Sequence, residues 1–143
     1  MHILIDTNTI LDALLNRSPW AKDATTIWER CTDGLDTGYI PASILSDIYY
    51  ITRRQTDREN ALKYIELCFN SFKLCSVNAN VIASALQLPH KDFEDNIFIA
   101  CAILHSMDAI VTRNTSDFQH SPIDVYTPSD WLAQQSLNSS GKQ

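Results

Sequence analysis

Apolar positions along this chain alternate between short unbroken runs and stripes of helical spacing. The first run, His2 to Ile5, is bounded by Asp6 and reads as a buried strand. Asp6, Thr7, Asn8 and Thr9 then offer capping side chains before Ile10, Leu11, Leu14 and Leu15, whose spacing is helical. Ser18-Pro19 interrupts the pattern. A second helix is predicted from about Ala21, with Ala24, Trp28 and Cys31 on one face and a stop near Gly34. Tyr39-Ile40-Pro41 is a short extended segment. Ser43 stands where a cap is needed for the helix carrying Ile44, Ile48 and Ile51, and Arg53 and Arg54 suit the negative end of its dipole.

The second half repeats the alternation. Asp57 to Phe72 predicts a helix with Leu62, Ile65, Phe69 and Phe72 as its apolar stripe. Lys73 to Val77 reads as a strand, and Asn78 to Leu88 as a short helix ended before Pro89. Asp92 caps the best-defined helix, whose inward stripe is Ile97, Ala100, Cys101 and Leu104. Asp108 to Val111 is a strand, Thr112 to Asp117 a polar turn, and Asp124 to Tyr126 a last strand. Ser129 is expected to cap a closing helix through Trp131 and Leu132. The polar tail, residues 137–143, is expected to be frayed. Strands alternating with helices predict a single α/β domain over residues 1–136, a three-layer sandwich whose mostly parallel sheet is covered on both faces.

Composition narrows the class without changing that fold. A chain of 143 residues suits one domain with its own core, and 45% hydrophobic with 20% charged residues is globular rather than disordered. No run nears the roughly 20 apolar residues of a membrane span, and the opening residues lack a basic leader pattern, so a cytoplasmic chain with no membrane association is expected. Cys31, Cys68, Cys75 and Cys101 sit in apolar periodic segments without a C-x-x-C pair and read as buried reduced thiols. His2, His90, His105 and His120 show no metal-ligand spacing. The net charge of −6 excludes a broad basic footprint for nucleic acid. It does not exclude a nuclease built from carboxylates, because bound divalent cations reverse the local sign.

In a parallel sheet the binding crevice lies beyond the carboxyl ends of the strands, and Asp6-Thr7-Asn8 and Thr112 to Asp117 both fall there. Taken singly, each acid has an ordinary reading. Asp6 is a helix cap, and Asp92, Glu94 and Asp95 complement a helix N-terminus. Asp47 lies inside a helix beside an apolar stripe, where aspartate is a poor helix former and reads either as a solvated flank or as functional. Taken together, these acids can converge on one crevice, where a hard divalent cation offsets their repulsion.

The blocks Ile3-Leu4-Ile5-Asp6-Thr7-Asn8, Ser46-Asp47, Phe93-Glu94-Asp95 and Val111-Thr112-Arg113-Asn114-Thr115-Ser116-Asp117-Phe118 together resemble a PIN domain. The resemblance runs to about Trp131, and the size is similar to that of VapC-type toxins of toxin–antitoxin pairs. It implies a ribonuclease that holds Mg²⁺ or Mn²⁺ on Asp6 and Asp95 and cleaves phosphodiesters by in-line attack of activated water, with no covalent intermediate. Asp47 fills a position where many relatives have Glu, and Asp117 supplies the remaining carboxylate because Asn114 stands where the family often has Asp. Asn8, Thr112 and Asn114 would give polar support, and Arg53, Arg54 and Arg113 would meet substrate phosphates. The implied partners are RNA, a small antitoxin and a second copy in a homodimer. Two other readings remain open. Asp6-Thr7-Asn8-Thr9 also resembles the D-x-D-x-T opening of haloacid-dehalogenase-type phosphatases, with Asn8 in the acid/base place. A PIN-like scaffold could bind a protein partner without cleaving.

Overall fold

The chain alternates strand and helix much as its apolar pattern predicts. A computed structural model describes residues 1–140. In chain order the elements are β1 (His2–Ile5), α1 (Thr7–Leu14), α2 (Ala21–Thr32), β2 (Thr37–Pro41), α3 (Ile44–Gln55), α4 (Arg58–Ser71) and β3 (Lys73–Cys75). They continue with α5 (Ala79–Gln87), α6 (Phe93–Leu104), β4 (Ala109–Val111), a 3-10 turn (Thr115–Phe118), β5 (Asp124–Tyr126) and α7 (Pro128–Ser140). The five strands form one parallel sheet in the order β3-β2-β1-β4-β5. The chain steps outward from β1 to β3, then crosses back to start β4 on the other side of β1. Right-handed crossovers in opposite directions place helices on opposite faces, which gives the expected α/β/α sandwich. Among the described residues no helix is long and apolar enough to cross a membrane.

A sheet covered on both faces needs apolar strands without alternation, and β1 and β4 are such strands. Ile3, Leu4, Ile5, Ala109, Ile110 and Val111 are all fully buried. Gly38 in β2 permits a close approach. A Cβ there would stand 2.7 Å from the Cys31 sulfur and 2.8 Å from a Phe72 ring carbon. All four cysteines carry free thiols. Burial pushes Cys31, Cys68 and Cys101 up to about 12 and Cys75 to about 11, so none is a thiolate at neutral pH. Cys31 is only half-buried, less than the sequence reading expects.

Several local expectations are corrected. In α4 the buried stripe is Ala61, Ile65, Cys68 and Phe72, while Leu62 and Phe69 face solvent. Small residues at positions 61 and 68 let α4 settle close against α3. Sequence reading favoured the larger neighbours and put two positions one residue out of phase. α6 is buried over five consecutive residues from Phe98 to Ala102, with Leu104 exposed, because it packs against α5 on one side and the sheet core on another. Ser43 does occupy the cap of α3 but makes no side-chain cap bond. The closing helix begins one residue before Ser129, and its cap bond comes from Thr127, whose hydroxyl accepts from Asp130 N at 3.1 Å. α7 runs through Ser140, so the start of the segment read as a frayed tail is helical, and the rest lies outside the described residues.

The amino end of the sheet is locked by a residue that sequence reading passed over. Asp36, just before β2, is 2% exposed. Its Oδ2 accepts from Arg30 Nε at 2.8 Å and from Trp131 Nε1 at 3.0 Å, while Oδ1 lies 3.7 Å from the Met1 amine. One carboxylate thus ties α2, α7 and the start of β1 together. Arg30 is six residues away, but Trp131 and Met1 are distant in sequence and give no local signal.

Candidate active site

The topology leaves one natural crevice. Strand order reverses between β1 and β4, and Ile5 pairs with Val111 at their carboxyl ends. Asp6 N donates to Val111 O at 3.0 Å, carrying the ladder one residue further. Asp6 is also the N-cap of α1, so its capping and functional readings coincide in one side chain. Its Oδ1 accepts from Thr7 N at 2.8 Å and its Oδ2 accepts from the Thr112 hydroxyl at 2.8 Å. The Thr112 oxygen in turn accepts from Asn114 N at 3.1 Å, so the chain after β4 is folded onto the Asp6 carboxylate.

Beyond these strand ends lies a cleft of about 380 Å³. Asp6, Asn8, Asp47, Asp95, Asn114 and Asp117 all line it, together with Thr7 and a fifth carboxylate, Glu94. Leu11, Ile51 and Phe98 supply apolar surface, and Tyr50 completes the wall. Glu94 is the member that sequence reading left as a helix-terminal acid; its adjacency to Asp95 was the available signal. Asp47 belongs to the first turn of α3, not its interior, so its helix position is favourable. Thr112 is fully buried behind the cleft and acts on it through Asp6.

The acids repel one another. Burial raises the Asp6 pKa above its ordinary 3.8; the Thr112 and Thr7 hydrogen bonds oppose this, and the charge of Asp117 adds to it. Asp95 is pushed up to about 6, first by burial and then by Asp92, Asp117 and Asp6, against a lowering effect of His90. His90 Nδ1 stands 3.9 Å from Asp95 Oδ2, but that nitrogen already accepts from Asp92 N at 2.9 Å, so it donates nothing to Asp95. Among the described residues no Lys or Arg lines the cleft.

Among the described residues no three His, Cys, Asp or Glu side chains are gathered tightly enough to grip a metal ion as they stand. The donor chemistry nevertheless fits a hard divalent cation. It consists of oxygen ligands, with Asp6 and Asp95 held at raised pKa by burial and by neighbouring acids, and among the described residues no cationic side chain lines the cleft.

The three arginines expected near substrate separate. Arg54 lies 5.8 Å over the Tyr50 ring and so stands at the cleft rim. Arg53 is exposed in the last turn of α3 and does not line the cleft. Arg113 does not line the cleft, although its charge lowers the Asp6 pKa from outside it. Its Nε lies 3.3 Å from Asp12 Oδ2, its guanidinium stacks 3.8 Å over Trp20, and it lines a separate recess with Pro19 and Pro128.

A PIN domain family model matches residues 2–116. A search of curated proteins finds no match. Among solved structures the chain is similar to a toxin–antitoxin complex from Klebsiella pneumoniae, at 21% identity over 88% of this chain and 97% of that one, with a TM-score of 0.67. It is also similar to a DNA-bound VapBC from Salmonella typhimurium, at 16% identity over 90% and 98%, with a TM-score of 0.69. A third likeness is to Mycobacterium tuberculosis VapC20, a sarcin–ricin loop cleaving toxin, at 11% identity over 76% and 86%, with a TM-score of 0.62. At such identities these likenesses are ones of fold. The family match is broader in meaning: it spans the elements that carry Asp6, Asp47 and Asp95 and stops one residue short of Asp117, and on it the chain belongs to the PIN domain family.

Proposed function

We propose that the carboxylate cleft is the active site of a metal-dependent ribonuclease, and that the protein is the toxin of a toxin–antitoxin pair. The observation that carries this reading is the convergence of Asp6, Asp47, Asp95 and Asp117, from four separate parts of the chain, on a cleft whose wall holds no basic side chain among the described residues. Asp6 and Asp95, with Asp47 and Asp117, would hold Mg²⁺ or Mn²⁺. A bound divalent ion of this kind lowers the pKa of water and offsets charge on a phosphate oxygen.

The chain's own residues prepare the rest. Thr7 N and the Thr112 hydroxyl fix both oxygens of Asp6, so that carboxylate meets its ligand already oriented. Asn8 and Asn114 are neutral amides in an otherwise acidic wall and can donate to phosphate oxygens or water. Tyr50 offers a ring for base stacking, and Arg54 above it a charge for a neighbouring phosphate. Two of the similar structures are toxin–antitoxin assemblies and a third is a toxin that cleaves an RNA loop, which supports RNA as substrate and a small antitoxin as partner. A homodimer belongs to the same reading. The family match displaces the phosphatase reading of Asp6-Thr7-Asn8.

The test is cleavage of total cellular RNA with Mn²⁺ by wild type and by Asp95→Asn, with folding checked by circular dichroism. Loss of an outer support of a metal site costs about 10–100-fold, so removing a proposed ligand is expected to cost about 100-fold or more. Chelator should abolish wild-type cleavage. Equal cleavage by both proteins would remove Asp95 from the site, and a folded wild type that cleaves nothing would favour the non-catalytic scaffold.

A further inference from the structure

The strongest unexplained feature outside the cleft is a buried charge cluster behind it. Asp12 is 1% exposed, although it sits on α1 among apolar neighbours. It lies between two guanidinium groups, Arg113 Nε at 3.3 Å from Oδ2 and Arg17 Nη1 at 3.7 Å from Oδ1. Neither contact is a well-aligned hydrogen bond: Asp12 Oδ1 and Arg113 Nε are both buried without a hydrogen-bond partner. Burial raises the Asp12 pKa, and Arg113 and then Arg17 only partly oppose it. A buried ion pair with imperfect hydrogen bonding adds little to stability compared with apolar residues of the same size. Stability therefore does not account for the pair.

Its placement does. Arg113 follows Thr112, whose hydroxyl is fixed to Asp6 at the N-terminus of α1. The Arg113 side chain reaches Asp12, six residues along the same helix, a span of about 9 Å at the usual helical rise. The face of Trp20, 3.8 Å from the guanidinium, holds the side chain from the other side. The segment after β4 is thus attached to α1 at two points rather than one. The segment is also held at its ends, where Thr112 N donates to Tyr126 O at 2.9 Å and Phe118 is buried in the core. The Arg113–Asp12 contact adds a hold on α1 between those ends, in the turn where Asn114 N bonds back to Thr112 and Asp117 N to Asn114 O at 3.0 Å.

We infer that Arg113 and Asp12 form a positioning pair that sets the orientation of the Thr112–Asp117 segment toward the divalent cation, and that Arg113 does not contact substrate. This rests on the ribonuclease reading of the cleft and assigns Arg113 a role different from the phosphate contact expected from sequence. The pair works through Thr112, Asn114 and Asp117 and touches no reacting atom.

The experiment is a double-mutant cycle with near-isosteric neutral variants, Arg113→Gln, Asp12→Asn and the double, each checked for folding by thermal unfolding. Three quantities are read in each protein: the Mn²⁺ dissociation constant by titration calorimetry, and kcat and KM for RNA cleavage. Both single variants are expected to weaken Mn²⁺ and lower kcat about tenfold, with KM nearly unchanged, and the double to be no worse than either single. A raised KM for Arg113→Gln that is independent of Asp12 would make Arg113 a phosphate contact and overturn the inference. Lower unfolding temperature with unchanged Mn²⁺ affinity and kcat would make the pair mere packing and overturn it equally. A wild type that binds Mn²⁺ but cleaves no RNA would remove the ribonuclease reading alone, and the Mn²⁺ cycle would still decide the coupling.

Discussion

Two aspartate sites lie at opposite ends of the same sheet and are built on opposite plans. At the amino end, Asp36 is surrounded by donors: one oxygen takes hydrogen bonds from Arg30 and Trp131, and the other faces the Met1 amine. At the carboxyl end, Asp6, Asp47, Glu94, Asp95 and Asp117 share a cleft that no lysine or arginine among the described residues lines, and two of them are pushed toward protonation. Residue type does not separate the two sites; the partners do. Asp36 takes its hydrogen bonds on Oδ2 and a nearby amine charge at Oδ1 from within the chain, and holds the fold. Carboxylates left uncompensated are set for something the chain itself does not provide.

The sharpest way to break that comparison is to exchange the consequences. Asp36→Ala leaves Arg30 and the Trp131 indole without their acceptor, and should cost about 3 kcal/mol of stability, measured by urea unfolding. The folded fraction should cleave RNA at the wild-type rate. Asp95→Asn should do the reverse, losing cleavage while the metal-free protein keeps or gains stability. If Asp36→Ala instead abolished cleavage in protein that is still folded, the two ends of the sheet would not be independent.

A smaller effect is expected in pH dependence. In the folded, metal-free protein Asp95 holds its proton up to about pH 6, whereas in the unfolded chain it loses the proton near 3.8. Between those values the folded state binds more protons, so stability falls as pH rises through that window. Asp6 is shifted in the same direction and steepens the fall. Urea unfolding in chelator from about pH 4 to about pH 7 should show a shallower fall for Asp95→Asn than for wild type. Equal slopes would mean that Asp95 does not carry the repulsion assigned to it.

The fold was largely legible because its signals are local. The apolar runs of β1 and β4, the caps at Asp6, Asp57, Asn78 and Asp92, and the break at Ser18-Pro19 each lie within a few residues of what they determine. The cleft was legible for the same reason: acids at strand ends and in first turns of a parallel sheet point to one crevice. What escaped was long-range. Asp12 and Asp36 draw no notice in the sequence, since Arg113 and Trp131 stand about a hundred positions away in the chain. Arg113 looked like a phosphate contact because its neighbours Thr112 and Asn114 belong to the site, yet successive residues in extended chain face opposite ways. The phase of α4 was misread because close packing chose Ala61 and Cys68 over the larger Leu62 and Phe69.

On the proposed function, a divalent ion compensates the carboxylates at the carboxyl end of the sheet. The most direct measurement is the unfolding temperature of wild type and Asp95→Asn across a Mn²⁺ titration. A ligand that binds only the folded state stabilises it by about 2.7 kcal/mol at 100 times its dissociation constant. Wild type should show a saturable rise, and Asp95→Asn a rise displaced to much higher Mn²⁺. Identical curves for the two proteins, or no rise in wild type, would contradict that compensation.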